Sequence, residues 1–76
     1  MAAAYILMNI ESGKVGKAHT ALKGIKGVKE AHIVAGPFDI IAYVEANGLE
    51  QLSQRILMEI QTISGVRSTT TAIVFQ

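Results

Sequence analysis

The only proline of this 76-residue chain stands in the run Ala35-Gly36-Pro37-Phe38-Asp39, between two strand-like segments, His32–Val34 and Ile40–Glu45. A Gly-Pro pair breaks regular structure and leaves neighbouring backbone N–H groups without ladder partners. Pro37 has no N–H, so the donors of this corner are Gly36 and Phe38, and Asp39 adds a carboxylate where the chain re-enters a strand. A second concentration of polar groups is Ser68-Thr69-Thr70-Thr71. In a strand, Thr69 and Thr71 fall on one face and Ser68 and Thr70 on the other. Amides for a carboxylate, Asp39 for an ammonium and hydroxyls beside them would suit a zwitterion. Each feature also has a plain structural reading, as a hairpin turn and as a β-branched strand.

Other chemistry lacks its parts. His19 and His32 lie in different elements, and neither stands at ligand spacing to another His or a carboxylate. The serines have no nucleophile context, no glycine-rich phosphate loop is present, and the six acids are scattered. The sequence therefore predicts no catalytic residue, metal site or cofactor. The rival in the enzyme class is a small dimeric α+β barrel, monooxygenase or isomerase in type, with His32, His19 or Tyr43 in a cavity. A purely structural oligomerisation module is the third reading.

The elements that hold these residues follow from periodicity. Ala3–Ile10 is apolar on both alternating faces, with Tyr5 and Leu7 on one and Ile6, Met8 and Ile10 on the other. After Ser12-Gly13, the residues Val15, Ala18, Leu22 and Ile25 line one face of a helix, closed by Gly24 and Gly27. Val28–Val34 and Ile40–Val44 read as strands. Asn47 is placed to cap a second helix marked by Leu49, Leu52, Ile56, Ile60 and Ile63. Val66–Phe75, dense in Thr and Val, reads as a final strand.

The halves share a join: Leu22-x-x-Ile25-x-Gly27-Val28-Lys29 matches Ile60-x-x-Ile63-x-Gly65-Val66-Arg67. In each, two apolar residues end a helix and a glycine free to take positive φ reverses the chain. The order βαββαβ with right-handed crossovers gives a ferredoxin-like α+β fold, a four-stranded antiparallel sheet with both helices on one face. The other face, carrying Ile41 and Tyr43, is left uncovered, which predicts a homodimer through the sheet faces.

Composition agrees. The length fits one domain, residues 1–76, near the lower limit for a single core. With no cysteine, no tryptophan and half its residues apolar, the core must be aliphatic, and some of it is expected to be covered by another subunit. Net charge is only +1, yet five of the seven basic residues are Lys14, Lys17, Lys23, Lys26 and Lys29. These read as a solvated helix face, since no aromatic residues interleave with them as nucleic-acid binding would favour. The first apolar run has neither a basic residue before it nor the length of a membrane span, so a soluble cytoplasmic protein is expected, with no membrane partner.

Taken in order, these motifs resemble the effector-binding RAM domain of the Lrp/AsnC feast/famine transcription regulators. The likeness rests on Ser12-Gly13, on Leu22-x-x-Ile25-x-Gly27-Val28, on the hairpin Ala35-Gly36-Pro37-Phe38-Asp39-Ile40 with its Gly-x-Tyr/Phe-Asp pattern, and on Ile63–Val74 with its Gly-Val and threonine-bearing strand. The family usually joins this domain to an N-terminal helix-turn-helix, so the chain resembles a stand-alone member without direct DNA binding. The resemblance implies a dimer through the sheets, rings of dimers and amino-acid binding between dimers. It also implies co-assembly with a full-length regulator. The positions matching the family's binding loop are Gly36, Pro37, Phe38 and Asp39, with Thr69 and Thr71 next.

Overall fold

The structure, a computed structural model, describes residues 1–75. Strand β1 (Ala2–Ile10) is followed by helix α1 (Val15–Lys23), strands β2 (Val28–Ile33) and β3 (Ile40–Ala46), a second helix and strand β4 (Val66–Ile73). The second helix, α2, runs over 49–61 as three consecutive segments: α-helical Leu49–Gln51, π-helical Leu52–Ile56 and α-helical Leu57–Gln61. The strands form one sheet in the order β2-β3-β1-β4, every neighbouring pair antiparallel. This is the ferredoxin-like α+β arrangement.

Alternation sorts β1 and β3 onto two faces. Ala4, Ile6 and Met8 pair with Val44, Ala42 and Ile40, and all six are fully buried on the helix face. Ala18 and Leu22 from α1 and Leu52, Ile56 and Ile60 from α2 close this core. Burying a side chain such as Leu22 or Ile56 contributes about 1.5–3 kcal/mol. In a regular α-helix, residues four apart drift by about 40° per step. The wider π turn offsets that drift, so Leu52, Ile56 and Ile60 all stay on the sheet.

Among the described residues, no helix covers the opposite face. Tyr5, Leu7, Ile41 and Tyr43 share its centre, and the rings of Tyr5 and Tyr43 meet at a centroid distance of 5.1 Å. Glu30 and His32 of β2 lie opposite Tyr43 and Ile41 on this face.

Expectations for the two helices are corrected. Asn47 is no side-chain cap: Gly48 occupies the cap position, and the Asn47 N–H donates to Oε1 of Gln51 at 2.9 Å. Leu49 is 55% exposed rather than part of the core stripe, and Ile63, like Ile25 after α1, falls in the turn beyond its helix.

Both edge strands carry one extra residue near their start. Val28 pairs with Val44 and Glu30 with Tyr43, so Lys29 is bulged out of β2. Val66 pairs with Ile10 and Ser68 with Asn9, so Arg67 is bulged out of β4. A bulge bends its strand and re-aims the extra side chain.

Candidate functional site

Asp39 is tied to β1 from both its backbone and its side chain. Its N–H donates to the Met8 carbonyl at 2.8 Å, extending the β1–β3 ladder by one bond. Its Oδ2 accepts the Ile10 N–H at 2.7 Å. Ile10 sits where the β1–β4 register shifts, so the carboxylate serves an N–H at the irregular end of the ladder. The Val34 N–H donates to the Asp39 carbonyl at 3.0 Å and closes the loop above.

Beside this carboxylate the β4 bulge presents Arg67. Asn9, Ile10, Asp39, Arg67 and Ser68 line one open cleft of about 410 Å³. Asn9 Nδ2 donates to Ser68 Oγ at 3.2 Å, tying the cleft wall across the two strands. An adjoining cleft of about 240 Å³ is lined by Gln61, Val66, Arg67, Ser68 and Thr69. Among the described residues, no carboxylate lies within ion-pair distance of Arg67. The cleft thus offers a carboxylate, a guanidinium without an ion-pair partner, and a hydroxyl. A planar guanidinium is suited to grip a carboxylate in bidentate fashion, and a carboxylate to hold an ammonium.

The residues expected from sequence are only partly brought together. Asp39 lines the larger cleft and Thr69 the adjoining one. Thr71 pairs with Ile6, on the helix face of β4, and lines neither cleft. Gly36, with φ +136°, and Pro37 are exposed and Phe38 is half-buried; none of them lines these clefts. Among the described residues the N–H groups of Gly36 and Phe38 have no hydrogen-bond partner, so the loop keeps free donors above the Asp39 corner. Asn9 and Arg67 were not singled out from sequence, and Ser68 only as the head of the Ser68–Thr71 run. The matching of Lys29 to Arg67 in the repeat was the available signal, since both follow a Gly-Val pair.

The histidines lie on different sides of the sheet. His19 on α1 bonds through Nε2 to the Ala31 carbonyl at 2.7 Å, and exposed His32 on the open face meets Glu30 at 2.9 Å. The His32–Glu30 contact corrects the expectation that no carboxylate stands near either histidine: two residues apart on a strand, both share one face. Tyr43, also on the open face, has its pKa raised above the ordinary tyrosine value, first by hydrogen bonding to the Glu45 carboxylate. No cluster of three or more metal-ligating His, Asp or Glu side chains occurs among the described residues. No helix among them is long and apolar enough to cross a membrane.

The fold is a ferredoxin-like α+β domain with an open polar cleft at the Asp39 end of its sheet. A family model, the Lrp/AsnC ligand binding domain, matches residues 3–76, and the chain belongs to that family. An uncharacterized HTH-type transcriptional regulator of Pyrococcus furiosus is 39% identical over 51 residues, 67% of this chain and 34% of the regulator. The chain thus matches about a third of the length of its curated relative. Among solved structures, FFRP-DM1 superposes with a TM-score of 0.93 at 35% identity, covering 99% of this chain and 100% of that one. Escherichia coli AsnC gives a TM-score of 0.90 at 28% identity, over 99% of this chain and 51% of AsnC. A feast or famine regulatory protein of Mycobacterium tuberculosis, solved in complex with L-methionine, shares the fold at 22% identity, TM-score 0.82, covering 100% of this chain and 51% of that one.

Proposed function

We propose that this chain is a non-enzymatic sensor module that binds a free amino acid at the Asp39–Arg67 cleft and couples binding to assembly. The observation that carries the reading is the pairing of a carboxylate and a guanidinium without an ion-pair partner around one cleft of about 410 Å³. Arg67 takes the ligand's carboxylate and the oxygens of Asp39 take its ammonium, while the free amides of Gly36 and Phe38 lie in the loop outside the cleft. Membership of a ligand-binding family supports the reading, as does a regulator of the same fold that holds L-methionine.

The apolar centre of the open sheet face, Tyr5, Leu7, Ile41 and Tyr43, is covered in this reading by a second copy of the chain. Dimers then assemble further, and a full-length Lrp/AsnC-type regulator co-assembles with them. A ligand shared between dimers shifts the assembly equilibrium only by its difference in affinity for the two states. Residues 1–76 act as one such module.

The test is absolute mass by light scattering, with and without a mixture of the twenty amino acids, followed by calorimetry on any that respond. A mass change produced by one amino acid, and weakened about tenfold or more in Arg67→Ala, is the expected result. Absence of both heat and mass change across all twenty would sink the sensor reading. A stable monomer at micromolar concentration would overturn the dimer.

A further inference from the structure

The two bulges are counterparts in the internal repeat. Lys29 follows Gly27-Val28 as Arg67 follows Gly65-Val66. The cleft lined by Gln61, Val66, Arg67, Ser68 and Thr69 also has its repeat equivalent, lined by Lys23, Val28, Lys29, Glu30, Ala31 and His32 and about 310 Å³ in volume. A further concavity of about 160 Å³ adjoins it, with Lys29 shared between the two and Lys26, Glu45, Asn47, Gln51 and Arg55 on its walls. The sequence had given these lysines only a solvated face. The structure gathers three of them around a bulge, with an arginine from α2.

We propose that the Lys29 bulge carries a second site, one that binds a compact phosphate group between Lys26, Lys29 and Arg55, with Lys23 on the adjoining concavity. Among the described residues, no carboxylate lies within ion-pair distance of Lys23, Lys26 or Lys29. Two acids also line these concavities. Glu30 meets His32 at 2.9 Å, and among the described residues Glu45 makes no ion pair with Lys26, Lys29 or Arg55. Arg55 meets Glu59 at 3.4 Å in an exposed i,i+4 pair, which a phosphate would readily replace. Gln51 spends its Oε1 on the Asn47 N–H and keeps its amide hydrogens for a ligand.

Four cations outnumber the two carboxylates on these walls, Glu30 and Glu45, and Glu30 is already held by His32, which favours a multiply charged anion. The concavities include no Phe, Tyr or Trp ring on which a nucleobase would stack, and His32 is held by Glu30, so the phosphate is bound as part of a small molecule rather than along a nucleic acid strand. The site stands apart from the Asp39–Arg67 cleft and does not depend on its ligand.

The experiment follows backbone amide resonances of the full chain while inorganic pyrophosphate is added at fixed ionic strength. Saturable shifts confined to residues 23–30 and 45–55, weakened about tenfold or more in the double variant Lys29→Gln, Arg55→Gln, are expected. Lys14→Gln, Lys17→Gln serves as the control and should bind as the parent does. Shifts that fail to saturate by about 10 mM, or that fall equally in both double variants, overturn the proposal as diffuse electrostatics. Tighter binding of duplex DNA than of pyrophosphate, with both variants weakened alike, overturns it in favour of a nucleic-acid surface.

Discussion

The two helix-to-strand joins, 22–28 and 60–66, use the same backbone bonds. Ile25 N–H donates to Leu22 and Val28 N–H to Ile25, as Ile63 donates to Ile60 and Val66 to Ile63. Gly27 and Gly65 take φ of +103° and +96°, and their carbonyls accept the N–H groups of Glu45 and Glu11 at 2.9 and 2.7 Å. What differs is what each join packs against. A Cβ on Gly27 would lie 2.5 Å from Cδ1 of Ile56, a fully buried residue, and 3.1 Å from the Glu45 carbonyl oxygen. A Cβ on Gly65 would meet Lys14, at 2.8 Å from its Cβ, on a surface turn. One backbone device is thus embedded in the core at one end of the molecule and left at the surface at the other. The surface join is also the one beside the Asp39–Arg67 cleft.

The sharpest way to break the comparison is to substitute both glycines. Each alanine is strained at positive φ, by about 1–2 kcal/mol. Gly27→Ala must also displace Ile56 from a packed interior, for a total of about 2–4 kcal/mol. At Gly65 the Lys14 turn shifts into solvent and the total is nearer 1–3 kcal/mol. Urea denaturation of the two variants measures the gap. Equal losses, or a larger loss at Gly65, would falsify the distinction between a buried and a surface join.

Asp39→Ala comes next, because the first repeat has no side chain that enters the ladder as this one does. It leaves the Ile10 N–H without its acceptor, a loss of about 1–3 kcal/mol. Asp39→Asn keeps an oxygen there and should lose less than half as much, while still removing the negative charge from the cleft. A variant series in which Asn destabilises as much as Ala would show that charge, not hydrogen bonding, holds this corner.

The fold was legible in the residues because its devices need particular side chains. Positive φ calls for Gly27 and Gly65, and the alternation of Ile6, Met8 and Ile10 with Tyr5 and Leu7 fixes which face of β1 is buried. The π segment was not legible, since Leu52, Ile56 and Ile60 fit a regular helix stripe equally well. Bulges have no side-chain signature of their own, so alternation through 66–75 gave Arg67 no special place, and Thr69 and Thr71 were expected from the family resemblance. The shift between Asn9 and Ile10 brings Arg67 to the site instead. Asp39 could be found because a carboxylate behind a Gly-Pro corner is a local pattern; its partners come from two other strands, and only the register brings them near.

The smallest effect concerns the open-face pairs that oppose the two bulges. In the second repeat Ser68 faces Asn9 and the pair is joined by a neutral hydrogen bond. In the first repeat Glu30 faces Tyr43, and both Glu45 and Glu30 raise the pKa of the tyrosine, Glu45 first as a hydrogen-bond partner. An unfolded chain lacks these neighbours, so its Tyr43 ionises at lower pH than the folded one. The folded state then holds more protons across that window, and stability falls as pH rises from about 10 through the raised value. Glu45→Gln should move the Tyr43 phenolate transition to lower pH and flatten the alkaline loss of stability. Asn9→Ala should leave both unchanged. Ultraviolet phenolate absorbance, with Tyr5→Phe as background to isolate Tyr43, reads the shift directly. An unmoved transition in Glu45→Gln would mean that the two open-face pairs are electrostatically alike despite their different residues.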